Sequence, residues 1–435
     1  MNKPVVGFAG MTHLGINSAA AAAGRGFEAI CFDTDGAVVT RLKSGTLPVV
    51  EPGLPELLEQ HRQRIAYTAE VGELRRCGVV YIAADVPTDD QGQSDLSGIR
   101  ALVDTVAGRL GHDAILVILC QVPPGFTRSL SLPKERLFYQ VETLVFGRAV
   151  ERAMNPERFI VGCAAPEQPL PETYRIFLSA FGCPILPMRY EGAELAKISI
   201  NMFLVASIST ANTIAELCEK IGADWAEIVP ALKLDKRIGQ HAYLAPGLGI
   251  AGGNLERDLS TVCRLARAHG TDAGVVRAWI ANSQHRRDWV LTHVHERVIA
   301  HKPDPTLAVL GLAYKQDTSS TKNSPSLALL AALTPFAVRV YDPVVAPRNE
   351  FHPRLVSAAS ALDACVGADA VVIMTPWGEF HELRPEAIAE RLQGRVVIDP
   401  YAVLNAGACR AAGLDYVTLG SPLSVVDGGS RQTPC

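Results

Sequence analysis

Apolar residues along this chain follow two rhythms. Short continuous runs, bounded by glycine and polar residues, occur at Pro4 to Gly10, Glu28 to Phe32, Val79 to Ala83, Ala114 to Leu119 and Phe159 to Val161. Runs of that length without polar alternation predict strands buried on both faces, as in a parallel sheet covered by helices. The first run leads into a glycine turn and an alanine-rich helix, Ile16 to Ala23, so the chain opens as a βαβ unit.

From Glu191 the rhythm changes. Leu195, Ile198, Met202, Val205, Ile208, Ile214, Leu217 and Ile221 recur mostly at spacings of three and four, which predicts a long helix with one apolar face. A second βα alternation starts at Thr306 with LAVLGLAY and continues through VRVYDP, AVVIMTPW and VVIDP. The expected fold is α/β: two Rossmann-like doubly wound domains, residues 1–190 and 301–435, joined by a central helical segment, residues 191–300. That segment is read either as a dimer core or as a helix packed between the domains of one chain.

Composition narrows the function. With 435 residues, 48% hydrophobic and 20% charged, the chain is long enough for two or three globular domains. A net charge of −4 and a pI near 6.3, with no Lys/Arg run longer than a pair, speak against nucleic acid as a partner and for small-molecule chemistry. The opening MNKPVVGFAGMTHLG is already strand and turn, and no 18-residue apolar stretch stands out, so a cytoplasmic location without a membrane partner is expected. The ten cysteines stand singly, without paired spacing, so they read as core residues and no metal site is expected.

Two places carry candidate chemistry. In FAGMTHLG, Gly10 and Gly15 take the outer positions of a G-x-G-x-x-G fingerprint, with Thr12 where the middle glycine would be. Asp33, after the second predicted strand, is placed to accept hydrogen bonds from an adenosine ribose, which favours NAD over a 2′-phosphorylated cofactor. The same segment also fits an ordinary tight turn. Farther on, Glu194, Lys197 and Asn201 form a polar stripe on an otherwise apolar helix. Such groups are costly there unless they meet a ligand, meet one another, or lie at a solvated helix edge.

Taken in order, EPGL (51–54), VPTDDQGQSDLS (86–97), VPPGFT (122–127), NPER (155–158), ELAKISINMFL (194–204), KRIG (236–239) and GLGIAGGNLERD (247–258), then GLAYKQDT, NSP, VYDP and TPWGEF, resemble the UDP-glucose/GDP-mannose dehydrogenase family from end to end. The resemblance implies an NAD-dependent oxidoreductase acting on a nucleotide sugar, and a homodimer. It implies catalytic roles for Lys197, Asn201, Asp258 and Glu142, with Asn254 at the nucleophile's position. Cofactor contacts are implied for Gly10, Thr12, His13, Leu14, Gly15, Asp33, Pro87, Thr88, Gln121 and Lys322. Substrate contacts are implied for Phe146, Tyr243, Gly249, Gly252 and Lys315, and for Arg237 reaching a neighbouring subunit.

Three departures from the family pattern fall in one step of its chemistry. Gln121 stands where the family has a threonine, Phe146 replaces the second glutamate of the segment that begins at Glu142, and Asn254 replaces the nucleophilic cysteine. Oxidation of an alcohol to a carbonyl needs a base and a hydride acceptor, whereas onward oxidation of an aldehyde needs a covalent thiohemiacetal and an activated water. A carboxamide cannot form that adduct. The expected reaction is therefore one two-electron alcohol/carbonyl step in place of four-electron oxidation to a uronate. Two alternatives stay open: an epimerase that uses NAD without net redox change, and a catalytically silent nucleotide-sugar-binding homologue.

Overall fold

The computed structural model describes residues 3–89 and 92–422; residues 90–91 of the 86–97 segment and residues 423–435 of the expected last domain lie outside the described residues. The chain forms two compact units, Met1–Asn201 and Met202–Cys435.

The first unit is built on eight strands: β1 (Val6–Ala9), β2 (Ala29–Phe32), β3 (Ile65–Thr68), β4 (Val79–Ile82), β5 (Ile115–Ile118), β6 (Leu137–Gln140), β7 (Phe159–Cys163) and β8 (Ile185–Arg189). They lie in the order β3-β2-β1-β4-β5-β6-β7-β8, and only the β6–β7 pair is antiparallel. Strands β1, β2, β4, β5 and β6 are buried along their whole length, the first four as apolar runs and β6 with its Gln140 accepting from the Tyr81 and Tyr174 hydroxyls at 2.9 Å. The order reverses between β1 and β4, which opens a crevice beyond the carboxyl ends of those two strands. The helix after β1 spans His13–Gly24, three residues earlier than expected, so His13 and Leu14 belong to its first turn. Its alanines are almost wholly buried, because small side chains let the helix lie close against the strands and the neighbouring helix Ala149–Met154.

The second unit holds a six-stranded, all-parallel sheet: β9 (Thr306–Leu310), β10 (Ala337–Tyr341), β11 (Leu355–Ser357), β12 (Ala370–Ile373), β13 (Val396–Ile398) and β14 (Asp415–Val417). Its order, β11-β10-β9-β12-β13-β14, is that of a second doubly wound domain.

The long helix Tyr190–Ile221 departs from the periodicity reading in two ways. Ile198 and Val205 are buried, but Leu195, Phe203, Ile214, Leu217 and Ile221 are exposed. The buried stripe instead includes Glu194, Asn201, Asn212 and Glu219. Those polar groups can be buried because they are partnered: Asn212 accepts from Gly247 N at 2.8 Å, and Glu219 accepts from Trp289 Nε1 at 2.9 Å, Arg286 at 3.1 Å and Gly420 N at 2.9 Å. The helix is also long and apolar enough to cross a membrane by length and composition, which corrects the expectation that no such stretch exists. Core helices of globular proteins meet the same criterion.

Candidate functional site

The crevice of the first sheet is shaped by two glycines. Gly10 has φ +95°, and a Cβ there would lie 2.9 Å from the backbone N and Cα of Ala84. A Cβ on Gly15 would lie 1.9 Å from Gly10 O, so the turn and the first helical turn touch backbone to backbone. Thr12, at the absent glycine, turns its hydroxyl to the end of β4, accepting from Asp85 N at 3.0 Å and donating to Ala83 O at 3.4 Å. The added hydroxyl thus serves the protein's own strand.

Asp33 follows β2 and accepts from Met11 N at 2.8 Å and Asp35 N at 2.9 Å. Its counterpart in the second sheet, Asp342, is buried and accepts from Leu312 N, Ala313 N, Val344 N, Val345 N and Trp377 Nε1. A carboxylate offers about four lone-pair sites. Asp342 is saturated by the fold, whereas Asp33 keeps accepting capacity at the mouth of the crevice. Glycine turn, helix N-terminus and half-exposed acid together fit a dinucleotide on the first sheet.

His13 and Phe146, two residues far apart in sequence, meet here. Their rings stack with centroids 4.0 Å apart and planes 24° apart. His13 Nε2 lies 3.1 Å from Glu51 Oε2, and the same carboxylate accepts from Gly147 N at 3.1 Å and Ala149 N at 2.7 Å. The sequence offered His13 and EPGL separately and gave no signal of this junction. Leu14 is buried in the core, so only its backbone is available to a cofactor. Pro87 and Thr88 lie in the loop after β4, which is pinned by a bridge between Thr88 and Ser94. Gln121 is half-buried beyond β5.

The polar stripe of the long helix divides by role. Glu194 is fully buried and accepts from Gly125 N at 2.6 Å and Thr127 N at 2.8 Å, holding the start of the short helix Phe126–Ser129. Burial pushes its carboxyl above the ordinary range despite those bonds. Lys197 Nζ lies 3.4 Å from Glu142 Oε2, with both side chains largely shielded. Asn201 is buried on the same stripe.

In the second unit, Asn254 opens the helix Asn254–His269, directly after the glycine turn. Asp258, one turn on and on the same face, is buried. The turn is tightly built. Gly249 has φ +77° and a Cβ there would lie 2.3 Å from Ser283 O; Gly252 has φ +79° and backs onto the Tyr314 ring. Asn323, itself at φ +50°, donates to Gly252 O at 2.9 Å and to Glu256, which also pairs with Arg287 at 3.2 Å. The methylenes of Lys322 would lie 3.3 Å from a Cβ on Gly253. Asn323, Glu256 and Arg287 escaped the sequence reading because no periodicity links them. Lys315 lies 5.9 Å from the Tyr314 ring centroid, Tyr243 is exposed, and the exposed Arg237 is bonded to Asp235 at 2.5 Å.

Three models of one family match the chain consecutively: its NAD binding domain over residues 5–177, its central domain over 191–284 and its UDP binding domain over 308–406. The chain belongs to the UDP-glucose/GDP-mannose dehydrogenase family. It is 30% identical to the UDP-glucose 6-dehydrogenase of Pseudomonas aeruginosa, over 95% of this chain and 96% of that protein. It is 28% identical to the UDP-glucose 6-dehydrogenase TuaD of Bacillus subtilis, over 95% of this chain and 92% of that protein. Among solved structures, a UDP-glucose dehydrogenase from Pyrobaculum islandicum shares the fold with a TM-score of 0.83 at 24% identity, covering 95% of this chain and 97% of that one. The first unit is thus the seat of an NAD binding domain, as its glycine turn and Asp33 suggested.

Proposed function

We propose that this protein is an NAD-dependent oxidoreductase that carries out a single two-electron alcohol/carbonyl conversion on a UDP-sugar. The observation that carries this reading is Asn254 at the head of its helix, with no thiol among the described residues in a position to act as nucleophile in its place. Cys263, on the same helix, lies nine residues on and so about 180° around it. Of the other described cysteines only Cys183 is not buried, and burial of its sulfur pushes its thiol up. The match of residues 308–406 to a UDP binding domain, and relatives named as UDP-glucose dehydrogenases, support the nucleotide.

The glycine turn at Gly10 and Gly15 and the Asp33 carboxylate would hold NAD⁺, which would supply a hydride acceptor for the sugar carbinol carbon. Glu142 and Lys197, 3.4 Å apart, share the hydroxyl proton. The family resemblance assigns Asn201, Asp258 and Asn254 polar roles, and a carboxamide at 254 supplies no covalent chemistry. Residues 1–190 hold the cofactor, 301–435 the nucleotide sugar, and 191–300 the dimer contact. Exposed Phe203, Ile214, Leu217 and Ile221 on the long helix support a homodimer.

Counting NADH against sugar consumed, with mass analysis of the product, tests this. One NADH per sugar and a hydroxylamine-trappable carbonyl is the expected result. Two NADH and a carboxylate would overturn it, and a sugar isomer without net NADH would move the assignment to an epimerase.

A further inference from the structure

Phe146 sits at the end of the loop that begins with Glu142, yet its ring packs on the cofactor turn. The loop is fastened to that turn twice. The His13–Phe146 stack is one attachment, and the Glu51 carboxylate, which contacts His13 and accepts from both Gly147 N and Ala149 N, is the other. Glu51 and His13 are 3% and 6% exposed, so water does not compete for these contacts. At its far end the loop presents Glu142 to Lys197.

We infer that His13 and Phe146 act as one aromatic positioning unit that couples occupancy of the cofactor turn to the loop bearing Glu142. Phe146 is then a cofactor-side residue despite its distance in sequence from the glycine turn. A dinucleotide that settles on the N-terminus of the helix His13–Gly24 fixes His13. Through the stack and Glu51 it fixes residues 142–149, and with them the Glu142–Lys197 pair. The consequence for Glu142 rests on its proposed proton-handling role, whereas the link to cofactor binding does not.

The test is calorimetric titration of the full chain with NAD. Phe146→Ala is expected to weaken NAD binding roughly 2- to 12-fold, the worth of one aromatic pair. Phe146→Tyr restores the affinity, Phe146→Leu does not, and His13→Ala combined with Phe146→Ala binds no more weakly than His13→Ala alone. Wild-type affinity in both Phe146→Ala and Phe146→Leu, a double variant that sums the two single losses, or no measurable NAD binding by the unmodified chain would each overturn the coupling. Should Phe146→Ala fail to fold, Phe146→Leu against Phe146→Tyr gives the same comparison. A chain that shows the coupling but turns over no UDP-sugar would refute the proposed reaction and leave this inference standing.

Discussion

Lys197 Nζ lies 3.4 Å from Glu142 Oε2 and ties the first turns of the long helix to the loop that follows β6. The two side chains are only 14% and 17% exposed, so the pair is partly withdrawn from water and its geometry is fixed by the helix on one side and the loop on the other.

Lys197→Met should therefore cost chemistry far more than folding. A positioned proton-transfer group contributes on the order of 10²- to 10⁴-fold, and turnover should fall by about that factor. The melting temperature should stay within a few degrees of the parent protein. A variant of full activity, or one that unfolds, would assign the lysine a structural role.

Asp33 is expected to set the cofactor choice. Its remaining lone pairs can accept from a ribose 2′-hydroxyl, while its charge repels a 2′-phosphate. NAD should bind more tightly than NADP, and Asp33→Ala should narrow or abolish that difference. Parallel titrations with both dinucleotides measure it.

Asn254→Cys alone should not produce a uronate, because Gln121 and Phe146 also lack the water-activating chemistry that the second oxidation needs. The NADH count should remain at one per sugar in that variant. A rise to two would show that the nucleophile was the single missing part.

His293 makes stability depend on pH. It is buried against the Trp289 ring at 4.4 Å, and Arg297, Lys220 and Arg286 face it, opposed by Glu219 and by Glu296 at 3.9 Å. Burial first, then Arg297, hold its pKa down at about 4, against 6.5 in the unfolded chain. The unfolded state takes up the proton first as pH falls. The stabilising contribution is thus present above pH 6.5 and is lost as the pH drops towards 4. Between pH 7 and 5 the parent protein should lose about 2 kcal/mol more stability than His293→Phe, read from urea midpoints at the two pH values.

Legibility followed the range of the interaction. The βαβ opening, five of the eight strands of the first sheet, four of the six of the second, the glycine turn and Asp33 could be read along the chain, because strands buried on both faces need apolar runs and a tight turn needs residues without a Cβ; β3, β8 and β11, which are partly exposed, and β6 and β14 gave no such run. The long helix was legible in extent and wrong in orientation. Its buried polar residues are partnered by groups distant in sequence, Glu194 by Gly125 and Thr127, Asn212 by Gly247, and Glu219 by Arg286 and Trp289.

The fold class and the cofactor turn are written in local patterns and residue chemistry, and so is the presence of a carboxamide, Asn254, directly after a glycine turn. Tertiary structure alone decided that Glu51 joins His13 to residues 147–149, that Phe146 stacks on the cofactor turn, and that Asp342 is saturated where Asp33 is not. Each of those depends on which distant donors and rings the folded sheets bring within about 3–4 Å, and no periodicity in a linear chain encodes that distance.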